Sequence, residues 1–259
     1  MNDIFSFSRF GRYFVADIKR AASNYGITLL YFTLGGLAIY LVGALLSLAF
    51  GGGWIHASYA SRFIFFLIFE FCVVITAGAK LYGFVTDKRE GGSFISLPVS
   101  TLEKTLSMII ITAFIVPCIF FCGYVSIDWL ISTFDVACGD SIIDASAFLS
   151  GVSEFGDTLS GMNFWAFSLV QIIFNMIIFL LGAVCFRNHK IAKTLLFVFI
   201  ATSIFSSLLS LIFAPFTPCN ANTIIANFNS ITTISFIVEI VVTLLLGFAV
   251  YYRVKTIKY

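Results

Sequence analysis

Charge is what this sequence has least of. Asp, Glu, Lys and Arg together make up 11% of the 259 residues, against 60% apolar side chains. Soluble domains carry about 25% charge and about 45–50% apolar residues, so a water-soluble globular fold is excluded. Histidine is nearly missing: only His56 and His189 occur, which excludes the His-Glu-x-x-His helix of a metalloprotease. There is no Gly-x-x-x-x-Gly-Lys-[Ser/Thr] loop, so this chain does not hydrolyse ATP by itself. A Gly-x-Ser-Gly motif is missing too, and Ser100 and Lys104 are four apart rather than three, so no serine-nucleophile dyad is formed. No catalytic residue, metal-ligand set or bound cofactor is expected, and the chain does not read as an enzyme. A net charge of +2 without a dense basic run also speaks against a nucleic-acid partner.

What is present in quantity is uninterrupted apolar sequence. Charge-poor runs cover about 27–50, 60–83, 105–131, 164–186, 194–216 and 232–252. Each is long enough for a helix to cross a hydrocarbon layer of about 30 Å. Barrel strands would be about ten residues long with alternating polarity, and "IIFNMIIFLLGAVCF" (172–186) shows no alternation. The expected fold is an all-α integral membrane protein with six transmembrane helices, lying in the lipid bilayer of the cell (inner, cytoplasmic) membrane.

The few charges are sorted by side. With six spans, every Lys and Arg except Arg62 falls on one face of the membrane, while the loop 132–163 holds five acids and no base. Basic residues mark the cytoplasmic side, so both termini are expected there. Residues 1–26 precede the 27–259 transmembrane domain. On a helical wheel Phe7, Phe10, Phe14, Ile18, Ala21 and Tyr25 share one arc, with Arg9, Arg12, Lys19 and Arg20 opposite and Asp17 near the boundary. That pattern predicts an amphipathic helix lying in the interface.

Ionisable groups inside spans are costly and are functional candidates by default. Glu70 and Glu239 are such groups; each either lines a polar path or is hydrogen-bonded to a neighbouring helix, with Gln171 one available partner. Arg62, snorkelling from the outer end of its span towards water, is a further available partner for either carboxylate. Pro117 is placed to kink the third span. Cys72, Cys118, Cys122 and Cys185 lie within spans, whereas Cys138 and Cys219 both map to outer loops, where an oxidising compartment permits a disulfide.

The densest punctuation is "YGFVTDKREGGSFISLPVSTLEKTLS" (82–107). Gly91-Gly92 is expected to end local structure, Pro98 to disfavour helix at Leu97, and Ser100-Thr101-Leu102-Glu103 to form a capping box opening the third span. Between these breaks Phe94, Ile95 and Leu97 are too apolar to dangle in water, and Asp87, Lys88, Arg89 and Glu90 carry both charge signs towards the cytosol.

This layout resembles the permease subunits of ABC-2-type ABC transporters. The resemblance rests on six spans, an amphipathic N-terminal helix, and the Leu97-Pro98-x-Ser100-x-x-Glu103-Lys104 stretch that opens the third helix. It implies an export pathway built as a homo- or heterodimer with another permease chain, and a separate ATP-binding subunit that uses the ATP. It also implies that the 84–104 loop is the coupling surface, with Asp87, Lys88, Arg89, Glu90, Phe94 and Leu97 as its contacts, and that residues 4–25 form an elbow helix. Two other readings stand beside it: a self-contained carrier or substrate-binding membrane subunit working through Glu70 and Glu239, and a non-transporting structural or immunity-type membrane protein.

Overall fold

The computed structural model is all-helical and describes residues 5–52, 56, 58–87, 90–135, 138, 141, 164–213 and 221–257. In chain order, helix α1 is Phe7–Ala49 and α2 is Tyr59–Tyr82. A 3₁₀ turn, Gly83–Thr86, leads to the short α3, Glu90–Ser96. Helix α4, Thr101–Ile110, runs through a π segment, Ile111–Ile115, into α5, Val116–Phe134. The chain continues as α6, Phe164–Cys185, α7, Lys190–Phe213, and α8, Ala221–Thr256.

Among the described residues four helical stretches are long and apolar enough to cross a membrane: Phe7–Ala49, Ser61–Thr86, Thr101–Phe134 and Phe236–Thr256. The two remaining expected spans are occupied by α6 and α7, helices of 22 and 24 residues. Large apolar side chains such as Leu67, Phe71, Phe197, Phe199, Leu244 and Phe248 stand exposed around the bundle. A surface of that kind is stable against lipid and not against water. The chain is thus read as a multi-pass membrane protein.

Three sequence expectations are corrected. The amphipathic segment and the first span are a single uninterrupted helix of 43 residues, about 65 Å long, rather than two elements. The reason is a buried stripe, Tyr13, Asp17, Tyr25, Leu29 and Thr33, that continues across the anticipated break, with Gly26 accommodated inside it. Gly91 and Gly92 do not end structure either; both lie within α3. A helical glycine costs about 1 kcal/mol relative to alanine, and burying Phe94, only 2% exposed, returns roughly 1.5–3 kcal/mol. Finally, the last helix begins at Ala221 rather than near 232.

The helix changes character just ahead of Pro117. The proline has no N–H and its ring crowds the carbonyl four residues back, and the helix answers by widening into the π segment that ends just before Val116. The helix therefore runs on through the proline.

Helix α6 sits at the centre, packed on α2 and α8 and followed closely by α7. Its Met176, Ile177, Phe179, Leu180, Ala183 and Val184 are all buried. The α2–α6 crossing is backbone on backbone: a Cβ at Gly78 would stand 2.7 Å from the Phe179 carbonyl oxygen. Small residues at such crossings let membrane helices approach closely. Helix α1 packs on α2 and α5, and a Cβ at Gly36 would meet the Tyr124 hydroxyl at 2.6 Å.

Candidate functional site at the basic end of the bundle

Ser100 caps α4 as its sequence predicts. Its hydroxyl accepts from the Glu103 N–H at 3.3 Å, and Glu103 Oε2 accepts from the Ser100 N–H at 3.1 Å. The carboxylate does more than close this box. Oε1 also accepts from the Ser6 N–H at 2.8 Å and from Arg9 Nη2 at 2.7 Å, and Oε2 accepts from Arg9 Nε at 2.8 Å. Ser6 is the N-cap of α1, so one fully buried carboxylate ties together the first turns of two long helices. The first N–H groups of a helix need acceptors and favour negative charge, and Glu103 serves both ends at once.

A second acidic group repeats this one layer deeper. Asp17, 3% exposed, accepts from Ser107 Oγ at 2.6 Å and from the Tyr82 hydroxyl at 2.9 Å, and pairs with Arg20. The Arg20 guanidinium lies 4.4 Å from the Phe84 ring centroid and 5.8 Å from that of Tyr82. Planar guanidinium over aromatic faces is a favourable cation–π arrangement. Asp17 therefore joins α1, α2 and α4, and Arg20 extends the joint to the 3₁₀ turn.

The loop between α2 and α4 is clamped from both sides. Buried Lys104 donates to the Phe94 carbonyl at 2.8 Å and lies 5.2 Å from its ring centroid. Lys190, at the start of α7, donates to the Gly83 carbonyl and reaches Asp87 Oδ1 at 3.2 Å. The chain enters α7 through His189, whose φ of 53° lies in the left-handed region. The short connection "RNHK" is thus a turn that delivers Lys190 to the loop.

Of the anticipated coupling residues, Asp87 is exposed and bonded to Lys190. Lys88 and Arg89 lie outside the described residues, and of Glu90 only the helical backbone is described. Phe94 requires a correction: it is buried in the core with Tyr82, Val85 and Met108, so it supports the loop from beneath and offers no contact to a partner. Leu97 is half-buried against the same core. The face α3 turns outward holds Gly92 and Ser96.

The two intramembrane acids differ. Gln171 on α6, with its amide nitrogen turned to Glu239, donates to Oε2 at 3.1 Å. Gln171, the partner available to Glu239 from the sequence, therefore stands beside it. Glu70 is half-buried, continues the stripe of Val73, Val74, Ala77 and Leu81 on α2, and has no hydrogen bond among the described residues. Arg62 does not pair with Glu70, nor does it reach water. It is 4% exposed, bonds Asp128 at 2.8 Å and donates to the Cys138 carbonyl at 3.0 Å.

Sequence reasoning passed over Asp128, Asp135 and Tyr40. The signal was available for Asp128, since Arg62 and Asp128 stand near the same end of neighbouring spans with opposite charges. Tyr40 and Asp135, joined at 2.6 Å, had none, because their contact depends on how α1 crosses α5. Cys138 donates to Asp135 Oδ2 at 3.2 Å, while Cys219, its anticipated disulfide partner, lies outside the described residues. Comparison with family models, with curated proteins and with solved structures finds no match.

Proposed function

We propose that the chain is the permease subunit of an ABC-type exporter, with both termini cytoplasmic. It forms its membrane pathway with a second permease chain and takes its driving force from a separate ATP-binding subunit. The observation that carries this reading is the Glu103 joint. A partner pressing on the Asp87–Ser96 segment, where Asp87, Gly92 and Ser96 are exposed, would act on a loop whose underside, Phe94, is held by Lys104 and whose neighbouring helix start is bonded through Glu103 to α1. Load applied there passes to two long helices at once, and one of them contains the π segment 111–115. A loop built only to connect two spans needs none of these bonds.

The stretch that prompted the resemblance acquires a physical role under this reading. Ser100 and Glu103 hold the helix start, Lys104 holds the loop, and Pro98 keeps the intervening turn out of helix. The basic groups near it, Arg12 and Lys19 on α1 among them, are exposed and face the compartment that would contain the ATPase.

The test is a pull-down of the tagged protein in mild detergent, repeated with Lys88→Glu and Arg89→Glu together. Recovery of an ATP-binding protein that the double change releases supports the reading. An intact, crosslinked wild-type complex that contains no ATP-binding protein sinks it. Glu70, inward on α2 and without a hydrogen bond among the described residues, favours one second reading, a carrier working through that carboxylate. Glu70→Gln would then abolish transport, whereas the permease reading leaves transport largely intact.

A further inference from the structure

At the end of the bundle opposite the Glu103 joint, three side chains from separate parts of the sequence meet. His56 comes from the connection before α2, and Asp135 and Cys138 follow the end of α5. His56 Nδ1 lies 2.8 Å from Asp135 Oδ1 and 2.9 Å from Oδ2, and Cys138 Sγ lies 3.2 Å from Oδ2. All three donor atoms fall within 4.8 Å of one another. Imidazole, carboxylate and thiolate bind a tetrahedral zinc ion at about 2.0–2.3 Å, which places pairs of ligand atoms roughly 3.5 Å apart. The His56–Asp135 and Cys138–Asp135 pairs, at 2.8 and 3.2 Å, must open by a few tenths of an ångström, and the third pair, within 4.8 Å, needs to close by at most about 1 Å.

The surroundings are those of a built site. Tyr40 donates to Asp135 Oδ2 at 2.6 Å, fixing the carboxylate from behind. Arg62 donates to the Cys138 carbonyl at 3.0 Å, fixing the backbone that carries the thiol. Outer groups of this kind orient metal ligands and raise affinity. The charge of Arg62 is itself balanced by Asp128 at 2.8 Å, so the site is not swamped by a bare cation. A thiolate and a carboxylate give the set two negative charges, matching a divalent ion. One nitrogen, one oxygen and one sulfur donor suit zinc and not calcium or magnesium, which take oxygen ligands.

We propose that His56, Asp135 and Cys138 form a zinc(II) site with an open fourth position. On binding, the Cys138 S–H yields its proton to solvent, and the neutral His56 imidazole binds through Nδ1 with its single proton on Nε2. His56 also lines a cavity of about 300 Å³, together with Tyr40, Ser61, Arg62, Tyr124 and Asp128. Water or a small anionic ligand would complete the coordination. The ion joins the connection before α2 to the segment after α5. This inference is independent of the ATPase partnership, because it rests on the other end of the molecule.

The experiment uses the full chain, purified in detergent on a histidine-free tag and stripped with chelator, titrated first with Zn²⁺ and then with Co²⁺. The expected result is one tight equivalent of zinc, and with cobalt a thiolate-to-metal charge-transfer band in the near ultraviolet. Replacing Cys72, Cys118, Cys122, Cys185 and Cys219 with serine should leave that band in place. Cys138→Ser should remove it, and His56→Ala should weaken zinc binding by more than 100-fold, on the order of the largest outer-shell effects. Tyr40→Phe should weaken binding about 10–100-fold. If Cys138→Ser does not fold, the exposed His56→Ala decides alone. Absence of a tight equivalent, binding unchanged by His56→Ala, or Cys138 found oxidised to Cys219 in the purified protein would each overturn the proposal.

Discussion

Replacing Asp128 with asparagine leaves the number of heavy atoms unchanged and alters the volume little, yet it should be among the most damaging single changes in the chain. Arg62 is 4% exposed and Asp128 2% exposed, and their 2.8 Å contact lies where neither can reach water. Taking two charges out of water is compensated only by their mutual attraction, so removing one partner leaves the other buried and uncompensated, at a cost of about 3–5 kcal/mol. That corresponds to a loss of roughly two to three and a half decades in the folding equilibrium. The bond from Arg62 to the Cys138 carbonyl, 3.0 Å, supplies an acceptor and no countercharge of its own. The double change Arg62→Met with Asp128→Leu should recover most of the loss, because apolar side chains of similar volume commonly replace a buried pair at little net cost. The assay is SDS-induced unfolding of the purified protein in mixed micelles, followed by circular dichroism for wild type, both single variants and the double. The reasoning is refuted if Asp128→Asn costs less than about 1 kcal/mol, the range of solvent-exposed pairs. It is equally refuted if the double variant is no more stable than the single. Either result would mean that the Arg62 charge is compensated elsewhere, by water at the membrane surface or by another group.

Other expectations are of the same kind. Glu103→Gln should weaken the tie between the first turn of α1 and α4, so hydrogen exchange should speed up over residues 7–20 while residues 27–49 stay protected; equal exchange in both halves would contradict the joint. Gly78→Ala should cost about 1–3 kcal/mol by overpacking, since its Cβ would meet the Phe179 carbonyl at 2.7 Å, and the same unfolding assay reads it. Thr112→Val should be neutral or stabilising by about 1 kcal/mol, because the buried Thr112 hydroxyl has no hydrogen-bond partner among the described residues; a loss of stability would show that the hydroxyl is bonded.

How far the sequence carries differs from element to element. The capping box at Ser100 and Glu103 was legible because both partners lie within one turn, where spacing alone decides contact. Helix positions followed from apolar runs. The single helix α1 was not legible: the wheel drawn for residues 7–25 placed Asp17 at the boundary, yet Asp17 accepts from Ser107 and Tyr82, residues 90 and 65 positions away. Periodicity says which residues share a face and not what covers that face. For the same reason Glu103 was read as a local cap, while its bonds to Ser6 and Arg9 bridge 97 and 94 positions. Phe94 looked like a docking residue because its segment is short and flanked by charges, and only packing against Phe84, with ring centroids 5.9 Å apart, shows it to be core. At the far end, His56 and Cys138 looked isolated because 82 positions separate them, and the crossing of α1 and α5 closes that gap.

The central claim is that the Asp87–Ser96 segment receives an ATP-binding partner and passes its movement into α1 and α4. The most direct measurement is photo-crosslinking in intact membranes from a reactive amino acid placed at position 88, with one at position 56 as the opposite-end control. The account predicts a crosslinked ATP-binding protein from position 88 alone, with a yield that changes when nucleotide is bound. Crosslinks to lipid only at position 88, with the chain functional in the same membranes, would contradict it.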